Sequence, residues 1–252
     1  MLQILNQPFF FLGNGAQCYA FESLDQKYVV KFFKHHHMRV NSWLNQIKLS
    51  PLLHHYRLKL TGGGQERLDL IFGSCKISYE LLKEETGLIY VHLNKTNNLQ
   101  KKLTIVDKLH IAHTVDLDQI EFVVQKKAKM LYPTLKKLRN ANDIETIKQH
   151  LDSLLAFFSK RLALGIADND PIFHRNFGSI DSKTVEIDQS SFFFSPSLKK
   201  PYAQKRALYF ETLKLKSWVK KHTPQAYDYL NDRPFRSKKK GWDKRICSFF
   251  SS

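Results

Sequence analysis

The chain has 252 residues, of which 42% are hydrophobic and 19 are phenylalanine, so a sizeable core is possible and wholesale disorder is excluded. Its 40 lysines and arginines outnumber its 23 acids, and the net charge of +17 suits phosphate-rich partners: nucleotides, nucleic acid or an anionic membrane surface. The three cysteines are far apart and form no Cys-x-x-Cys pair, which excludes a disulfide framework and favours a cytoplasmic location. No apolar run reaches the ~18–20 residues of a transmembrane helix, so any membrane contact is expected to be peripheral.

Strand-like and helical patterns divide the chain into a β-rich part and a mostly helical part. Residues 1–125 are predicted to be β-rich because runs of β-branched and aromatic residues alternate with turn signals, with one helical pattern at roughly Gln65–Glu85. We expect a hinge at 126–133 and a mostly helical region at 134–232. Residues 233–252 are basic and are predicted to form a solvated tail, with a basic-aromatic surface anchor as the alternative. These patterns predict an α+β fold.

The second region begins with a long amphipathic helix. Its capping residue is predicted to be Asn142 or Asp143, and Gly165 is its expected stop. Two very short strands are expected around the turn Asp181–Thr184, followed by a further helix over Ala203–Lys221.

A cluster of polar residues follows the stop of the long helix, in the stretch GIADNDPIFHRNFG. It contains Asp168, Asp170 and Asn176. Such a cluster is either an ordinary polar turn or part of a site that holds a metal and activates a hydroxyl. Carboxylate and amide oxygens are suitable ligands for a hard cation such as Mg²⁺.

A glycine pair and a lysine stand out near the start of the chain. Gly13 and Gly15 lie between two strand-like runs, where glycine lets the backbone approach a phosphate and direct its N–H groups at it; a plain hairpin turn explains the same residues. Lys31 follows among apolar neighbours in YVVKFFK. On a buried strand face it needs an anionic partner, a nucleotide phosphate or a helix glutamate, whereas on the solvent face of an edge strand it needs none.

These stretches together resemble the protein-kinase-like superfamily. LGNGAQCYAF and YVVKFF are similar to its glycine-rich loop and β3 lysine, and GIADND stands where members commonly carry Gly-Ile-x-His-Arg-Asp. The resemblance covers roughly residues 8–220 and implies a two-lobed fold, with a β-rich N-lobe and a helical C-lobe, that binds ATP and Mg²⁺. It implies that Asp170 is the catalytic carboxylate and that Asn176 and Asp188 are the metal ligands.

The resemblance also implies how a nucleotide is held. Lys31 would bind the α- and β-phosphates, oriented by a glutamate of the N-lobe helix; Glu80 is our choice and Glu84 the second. Gln125, at the end of the last β-like run, and Lys127, at the start of the expected hinge, complete the expected nucleotide-binding set.

Several positions depart from the pattern of the family. Cys18 replaces the third glycine, and Asp168-Asn169 replaces His-Arg. The interval from Asp170 to Asn176 is one residue longer than usual, so Asp168 is an alternative catalytic carboxylate. Only about ten residues separate Asp188 from the next basic stretch, so a peptide-docking activation segment of usual length does not fit.

The expected function is that of an atypical kinase of reduced, bacterial type, which transfers phosphate from ATP to an unidentified acceptor. The positive charge suits an anionic acceptor. The first alternative is a pseudokinase that binds nucleotide or acts as a scaffold. The second is a basic nucleic-acid-binding protein in which the kinase-like spacing is accidental.

Overall fold

The computed structural model describes residues 1–34 and 68–232, which contain both strands and helices. The predicted α+β class is confirmed. The basic tail predicted at 233–252 lies outside the described residues.

The strands are numbered in chain order. They are β1 (Phe9–Asn14), β2 (Cys18–Ser23), β3 (Tyr28–Phe33), β4 (Leu88–His92), β5 (Lys102–Val106), β6 (Ala112–Asp116), β7 (Phe122–Lys126), β8 (Lys129–Met130), β9 (Ile166–Asp168), β10 (Phe177–Ile180), β11 (Lys183–Glu186) and β12 (Phe192–Phe194).

The helices lie mostly in the second half of the chain. They are α1 (residues 68–81), α2 (Lys83–Thr86), α3 (Leu131–Asn140), α4 (Ile144–Ala163), α5 (Phe173–Asn176), α6 (Pro201–His222) and α7 (Tyr227–Asp232), with short 3-10 turns at Pro196–Lys199 and Pro224–Ala226.

Seven strands form one sheet in the order β4-β7-β3-β2-β1-β5-β6. All neighbours are antiparallel except β1 and β5, which are parallel. Gly13 lies near the end of β1 and Gly15 in the turn to β2, and β3 is an interior strand between β7 and β2. Two smaller sheets, β11-β10-β8 and β12-β9, belong to the second half of the chain.

The interior strand β3 buries residues on both faces of the sheet. Val30 and Phe32 contribute to one hydrophobic cluster, together with Phe122 and other sheet residues. Phe33 contributes to a second cluster, which includes Ile71 of α1. Because side chains alternate along a strand, Lys31 shares the face of Phe33, the one that α1 covers.

The helical half has its own core around α4. Its apolar residues, among them Leu151, Leu154 and Phe158, pack with residues of α3, α6 and the short strands. Asp143 caps this helix, since its side chain accepts a hydrogen bond from the Thr146 N–H at 3.0 Å. The helix ends at Ala163, and Gly165 follows with a φ of 77°, which glycine adopts without strain.

Three local expectations need correction. The predicted helix over Gln65–Glu85 is interrupted at Leu82, and α1 and α2 are separate helices in the described residues. The sequence pattern missed β6 (Ala112–Asp116), because that strand is at the sheet edge and exposes most of its residues. The apolar start of the chain, MLQILNQPFFFLG, predicts a first strand, but β1 begins only at Phe9 and the residues before it form turns.

Within the described part of the chain, no helix combines the length and the apolar character that crossing a membrane requires.

Gly178 provides a test of the packing between β10 and the predicted hinge. A Cβ added there would lie 2.7 Å from the Ala128 Cβ and 3.0 Å from the Lys129 carbonyl oxygen. We expect Gly178→Ala to lower the free energy of unfolding by about 1–3 kcal/mol, because neither neighbour is the end of a flexible side chain. Denaturant unfolding followed by circular dichroism measures the change.

Gly73 of α1 is the matched control, since an added Cβ meets nothing within 4 Å. Gly73→Ala is expected to raise stability by up to about 1 kcal/mol, because alanine is the better helix former. Equal effects of the two substitutions would contradict the close packing inferred for Gly178.

Candidate functional site

The hairpin between β1 and β2 presents both glycines of the predicted loop. The Gly15 N–H donates to the Cys18 carbonyl at 3.0 Å, and the Lys34 ammonium donates to the Gly15 carbonyl at 2.6 Å. An added Cβ would meet nothing within 4 Å at Gly13 or Gly15, so the space beside this backbone is open. The geometry permits a ligand to approach the turn and equally describes an ordinary hairpin.

Lys31 connects the large sheet to the segment that follows β11. Its backbone pairs with Ala20 of β2 and Val123 of β7, and its ammonium donates a hydrogen bond to the carbonyl oxygen of Ile187. Ile187 directly precedes Asp188, so residues 31 and 188 come together although they are remote in the chain.

The electrostatics of Cys18 support the same proximity. Burial raises the pKa of the Cys18 thiol to about 12, while the Lys31 charge acts to lower it and the Asp188 charge to raise it. Both charges therefore act on one side chain of the glycine hairpin. The raised pKa also keeps this thiol protonated at neutral pH, so it is a weak nucleophile.

A second contact to the segment after β11 comes from α1. The Ser74 hydroxyl donates to the Gln189 carbonyl at 2.5 Å and accepts from the Phe192 N–H at 2.7 Å. Ser74 is buried, so this serine fixes the backbone on both sides of Ser190 and limits where the Asp188 side chain can go.

The two candidate metal ligands are joined through the backbone. The Ile187 N–H donates to the Asn176 carbonyl at 2.7 Å, and the Asn176 carboxamide N–H donates to the Asp170 carbonyl at 2.7 Å. The Ser190 hydroxyl donates to Asp188 Oδ1 at 2.7 Å. These bonds hold Asn176, Asp170 and Asp188 in one neighbourhood.

The two candidate catalytic carboxylates have different surroundings. Asp170 has a side chain 41% exposed and forms an ion pair of 3.0 Å with Arg175. Asp168 is half-buried, and its Oδ1 accepts from the Ser191 hydroxyl at 2.5 Å and from the Asp170 N–H at 2.8 Å. One oxygen of each carboxylate is thus engaged; the Asp170 side chain is partly exposed, whereas the second oxygen of Asp168 is buried.

The structure does not bring every predicted residue to this neighbourhood. Glu80 and Glu84 are exposed, and none of the ion pairs found in the described residues joins either of them to Lys31. Gln125 is buried and donates to the Thr86 carbonyl at 2.5 Å.

Lys127 is also engaged elsewhere, in an ion pair of 2.5 Å with Glu22 of β2. This partner, like that of Gln125, belongs to the sheet or to the helix turn beside it. The two residues contribute to the packing at the end of β7, and among the described residues neither is joined by a hydrogen bond or ion pair to the segment around Asp188.

A buried ionic cluster, which the sequence patterns did not predict, lies next to the loop that carries Asp168 and Asp170. Arg161 of α4 is fully buried, donates to the Ile166 carbonyl at 3.3 Å and to Glu211 at 2.5 Å, and lies over the rings of Phe157, Phe158 and Phe192. The sequence does contain a signal for this cluster: Arg161 is a charged residue within the apolar stripe of a long helix.

Glu186, the last residue of β11, belongs to the same cluster. It is fully buried, and within the described chain neither of its carboxyl oxygens has a hydrogen-bond donor; the same holds for Asp168 Oδ2. Burial raises the pKa of Glu186 well above its usual range, and Asp168 raises it further, while Arg161 acts in the opposite direction. A proton on Glu186, shared with Asp168 Oδ2 in a hydrogen bond, accounts for two of these three oxygens.

Mg²⁺ is the cofactor that the predicted ligand set implies. The described residues contain no group of three or more His, Cys, Asp or Glu side chains that could hold a metal ion. The predicted pair of ligands, Asn176 and Asp188, offers one carboxamide oxygen and one carboxylate group. Mg²⁺ takes one or two protein carboxylates and fills its other positions with water and phosphate oxygens, so this pair fits Mg²⁺ only together with a nucleotide.

Neither a protein-family model nor a curated protein sequence matches the chain. Among solved structures it is similar to the bifunctional kinase-methyltransferase WbdD, with a TM-score of 0.39 and 16% identity over 79% of this chain. A second WbdD structure has a TM-score of 0.38 and 16% identity over 81% of this chain. The chain spans 34% and 36% of the length of those two chains. TM-scores this low do not establish a common fold.

The shared proton predicts how stability depends on pH. A carboxyl group with a raised pKa in the folded state stabilises the fold below its ordinary pKa and loses that contribution as the pH rises towards the folded value. Glu186→Gln keeps a neutral donor at this position. We expect it to match the wild type in acid and to become the more stable protein towards neutral pH, as measured by denaturant unfolding across the pH range.

Glu145→Gln on the exposed surface of α4 is the control, with an expected change within about 0.5 kcal/mol at every pH. If Glu186→Gln instead destabilises the protein at neutral pH and the deficit closes on acidification, Glu186 is ionised in the fold and pairs with Arg161.

Proposed function

We propose that the protein is an atypical ATP- and Mg²⁺-dependent phosphotransferase with a two-lobed, protein-kinase-like arrangement. The observation that carries the proposal is the hydrogen bond from the Lys31 ammonium to the Ile187 carbonyl, beside Asp188. It brings a lysine from an interior strand of the large sheet next to the segment of the other half of the chain that carries Asp188. Phosphoryl transfer needs such a convergence, because it depends on positioning and charge neutralisation more than on covalent catalysis.

Each proposed role follows from the surroundings of the residue. Lys31 pairs through its backbone with β2, the second strand of the glycine hairpin, and is proposed to bind phosphate oxygens. Asn176 and Asp188 hold Mg²⁺, which when bound with ATP neutralises the charge of the transferring phosphoryl group.

Asp170 is our choice for the residue that orients the acceptor hydroxyl. It is the more exposed of the two carboxylates, and its backbone carbonyl is tied to the Asn176 side chain, so it lies next to the metal ligands. Asp168 then has a positioning role, since it accepts the Asp170 N–H and faces the buried Glu186.

The acceptor is proposed to be anionic, in keeping with the net charge of +17, and the site of action is proposed to be the cytoplasm, where ATP is available. A pseudokinase is the second candidate function. It is favoured by the absence, among the described residues, of an ion pair between Lys31 and a helix glutamate. Kinases use that pair to hold the lysine for catalysis.

Nucleotide binding is tested by thermal stabilisation. Saturating ATP with Mg²⁺, at about a hundred times the Kd, is expected to stabilise the protein by about 2.7 kcal/mol, or about 5–10 °C in Tm. Lys31→Ala and Asp188→Ala should each remove the shift relative to their own ligand-free Tm, because the phosphates and the metal lose their partners.

Lys126→Ala, at an exposed lysine at the end of β7, is the matched control and should retain the full shift. An intact shift in both site variants would contradict the proposal. A protein that shows no shift with ATP but a salt-dependent affinity for RNA would be the nucleic-acid-binding alternative.

Turnover separates the enzyme from the pseudokinase. We expect slow ATP hydrolysis or autophosphorylation, lowered about 10²–10⁴-fold in Asp170→Asn with the ATP-dependent Tm shift preserved. Asp168→Asn should have the smaller effect on turnover. A larger loss in Asp168→Asn would transfer the catalytic role to Asp168, and no turnover in the wild type would leave a nucleotide-binding pseudokinase.

A further inference from the structure

Helix α6 exposes apolar side chains on the face that points away from the core. Its inner face is formed by Leu215 and Val219, which are fully buried. On the outer face Tyr202 is 62% exposed and Leu213 is 39% exposed. These two positions are eleven residues apart, three turns of a helix, so they lie on one line along the surface.

Two further aromatic residues lie along that outer face. Tyr209 is 41% exposed and Phe210 is 45% exposed, and the two rings contact each other edge to face at 5.5 Å. Four large apolar side chains on the solvent face of one helix are more than the scattered exposed residues of an ordinary surface.

The charges of α6 are divided between its two faces. The helix carries six lysines and arginines and one acid, a net charge of +5. The acid, Glu211, is bound to the buried Arg161 and points inward. Five of the six bases are exposed and surround the apolar side chains; they are Lys205, Arg206, Lys214, Lys220 and Lys221. The sixth, Lys216, is buried.

We infer that the outer face of α6 (Tyr202, Tyr209, Phe210, Leu213 and the five exposed bases) docks onto an anionic membrane surface. A helix of 22 residues is about 33 Å long, and lying flat it would insert its aromatic rings at the headgroup level while its bases contact lipid phosphates. Charge complementarity favours an anionic lipid, because a neutral bilayer can take up the apolar side chains but has no net negative charge to attract the five bases.

The arrangement of bases and rings favours a membrane over a folded acidic protein. The Arg206 guanidinium lies over the Phe210 ring, with its Cζ 5.7 Å from the ring centroid, so a base and an aromatic ring share one place on the outer face. Two exposed bases, Lys205 and Arg206, lie within the apolar stretch, and three more, Lys214, Lys220 and Lys221, follow it along the helix. This pattern suits a flat, laterally uniform anionic surface.

Vesicle sedimentation with the full chain tests the inference. Vesicles of equimolar phosphatidylcholine and phosphatidylglycerol should bind the protein, and vesicles of phosphatidylcholine alone should not. The apolar variant Tyr202→Ser/Phe210→Ser/Leu213→Ser should weaken binding about tenfold or more, because the inserted side chains are lost. The charge variant Lys205→Gln/Arg206→Gln/Lys214→Gln should weaken it about a hundredfold and reduce its sensitivity to salt.

Two variants match the charge variant in the number of charges removed. Lys102→Gln/Lys108→Gln/Lys136→Gln changes exposed positions on β5, the following turn and α3, and should bind as the wild type does. Lys238→Gln/Lys239→Gln/Lys240→Gln changes the C-terminal basic stretch. If this last variant loses vesicle binding and the α6 variants keep it, the inference is overturned in favour of the tail.

Two other results would also overturn it. Full binding by the apolar variant, with loss only in the charge variant, would make the face a general site for polyanions such as RNA. Equal binding to the neutral vesicles would remove the role of the lipid charge. Unchanged Tm values establish that the variants fold, and none of the substituted positions belongs to the proposed nucleotide site, so the ATP-dependent Tm shift is independent of the outcome.

Discussion

A lysine on a half-buried strand face needs a hydrogen-bond acceptor, because leaving its ammonium unpaired away from water is costly. For Lys31 the acceptor is a backbone carbonyl oxygen in the other half of the chain. The bond to the Ile187 carbonyl, with the Ser74 bonds to Gln189 and Phe192, locks the segment after β11 against β3 and α1. Because Asp188 lies within that segment, its position relative to the glycine hairpin depends on these few contacts. The proposed nucleotide site exists only while they hold.

Next to this segment the structure buries several ionisable side chains. Arg161 and Glu211 form a buried pair, and Glu186 adds a carboxyl group whose raised pKa reflects its removal from water. Desolvating such groups costs free energy that hydrophobic residues of similar size would not. Strongly shifted carboxyl groups beside a polar loop are typical of functional sites, and here they support the backbone that carries Asp168 and Asp170.

Local patterns predicted most elements of this structure. Alternating apolar residues identified β3, and the apolar stripe with its cap identified α4, because burial of one face imposes a period that the sequence must show. The edge strand β6 has no buried face to leave such a signal. The described residues contain no ion pair between Lys31 and Glu80, and the nucleotide-binding roles of Gln125 and Lys127 stay predictions. Both expectations follow from the resemblance, and a resemblance in spacing carries no information about which side chain a neighbouring element supplies.

The sequence by itself determined the α+β class, the positions of the main strands and helices, and the presence of polar residues after the long helix, since each depends on contacts between residues close in the chain. Only the tertiary structure decided that Lys31 reaches Ile187, that Glu186 is buried beside Asp168, and that the aromatic line of α6 faces outward. Those facts depend on which elements pack together, and packing partners far apart in the chain leave no periodic signal in one sequence.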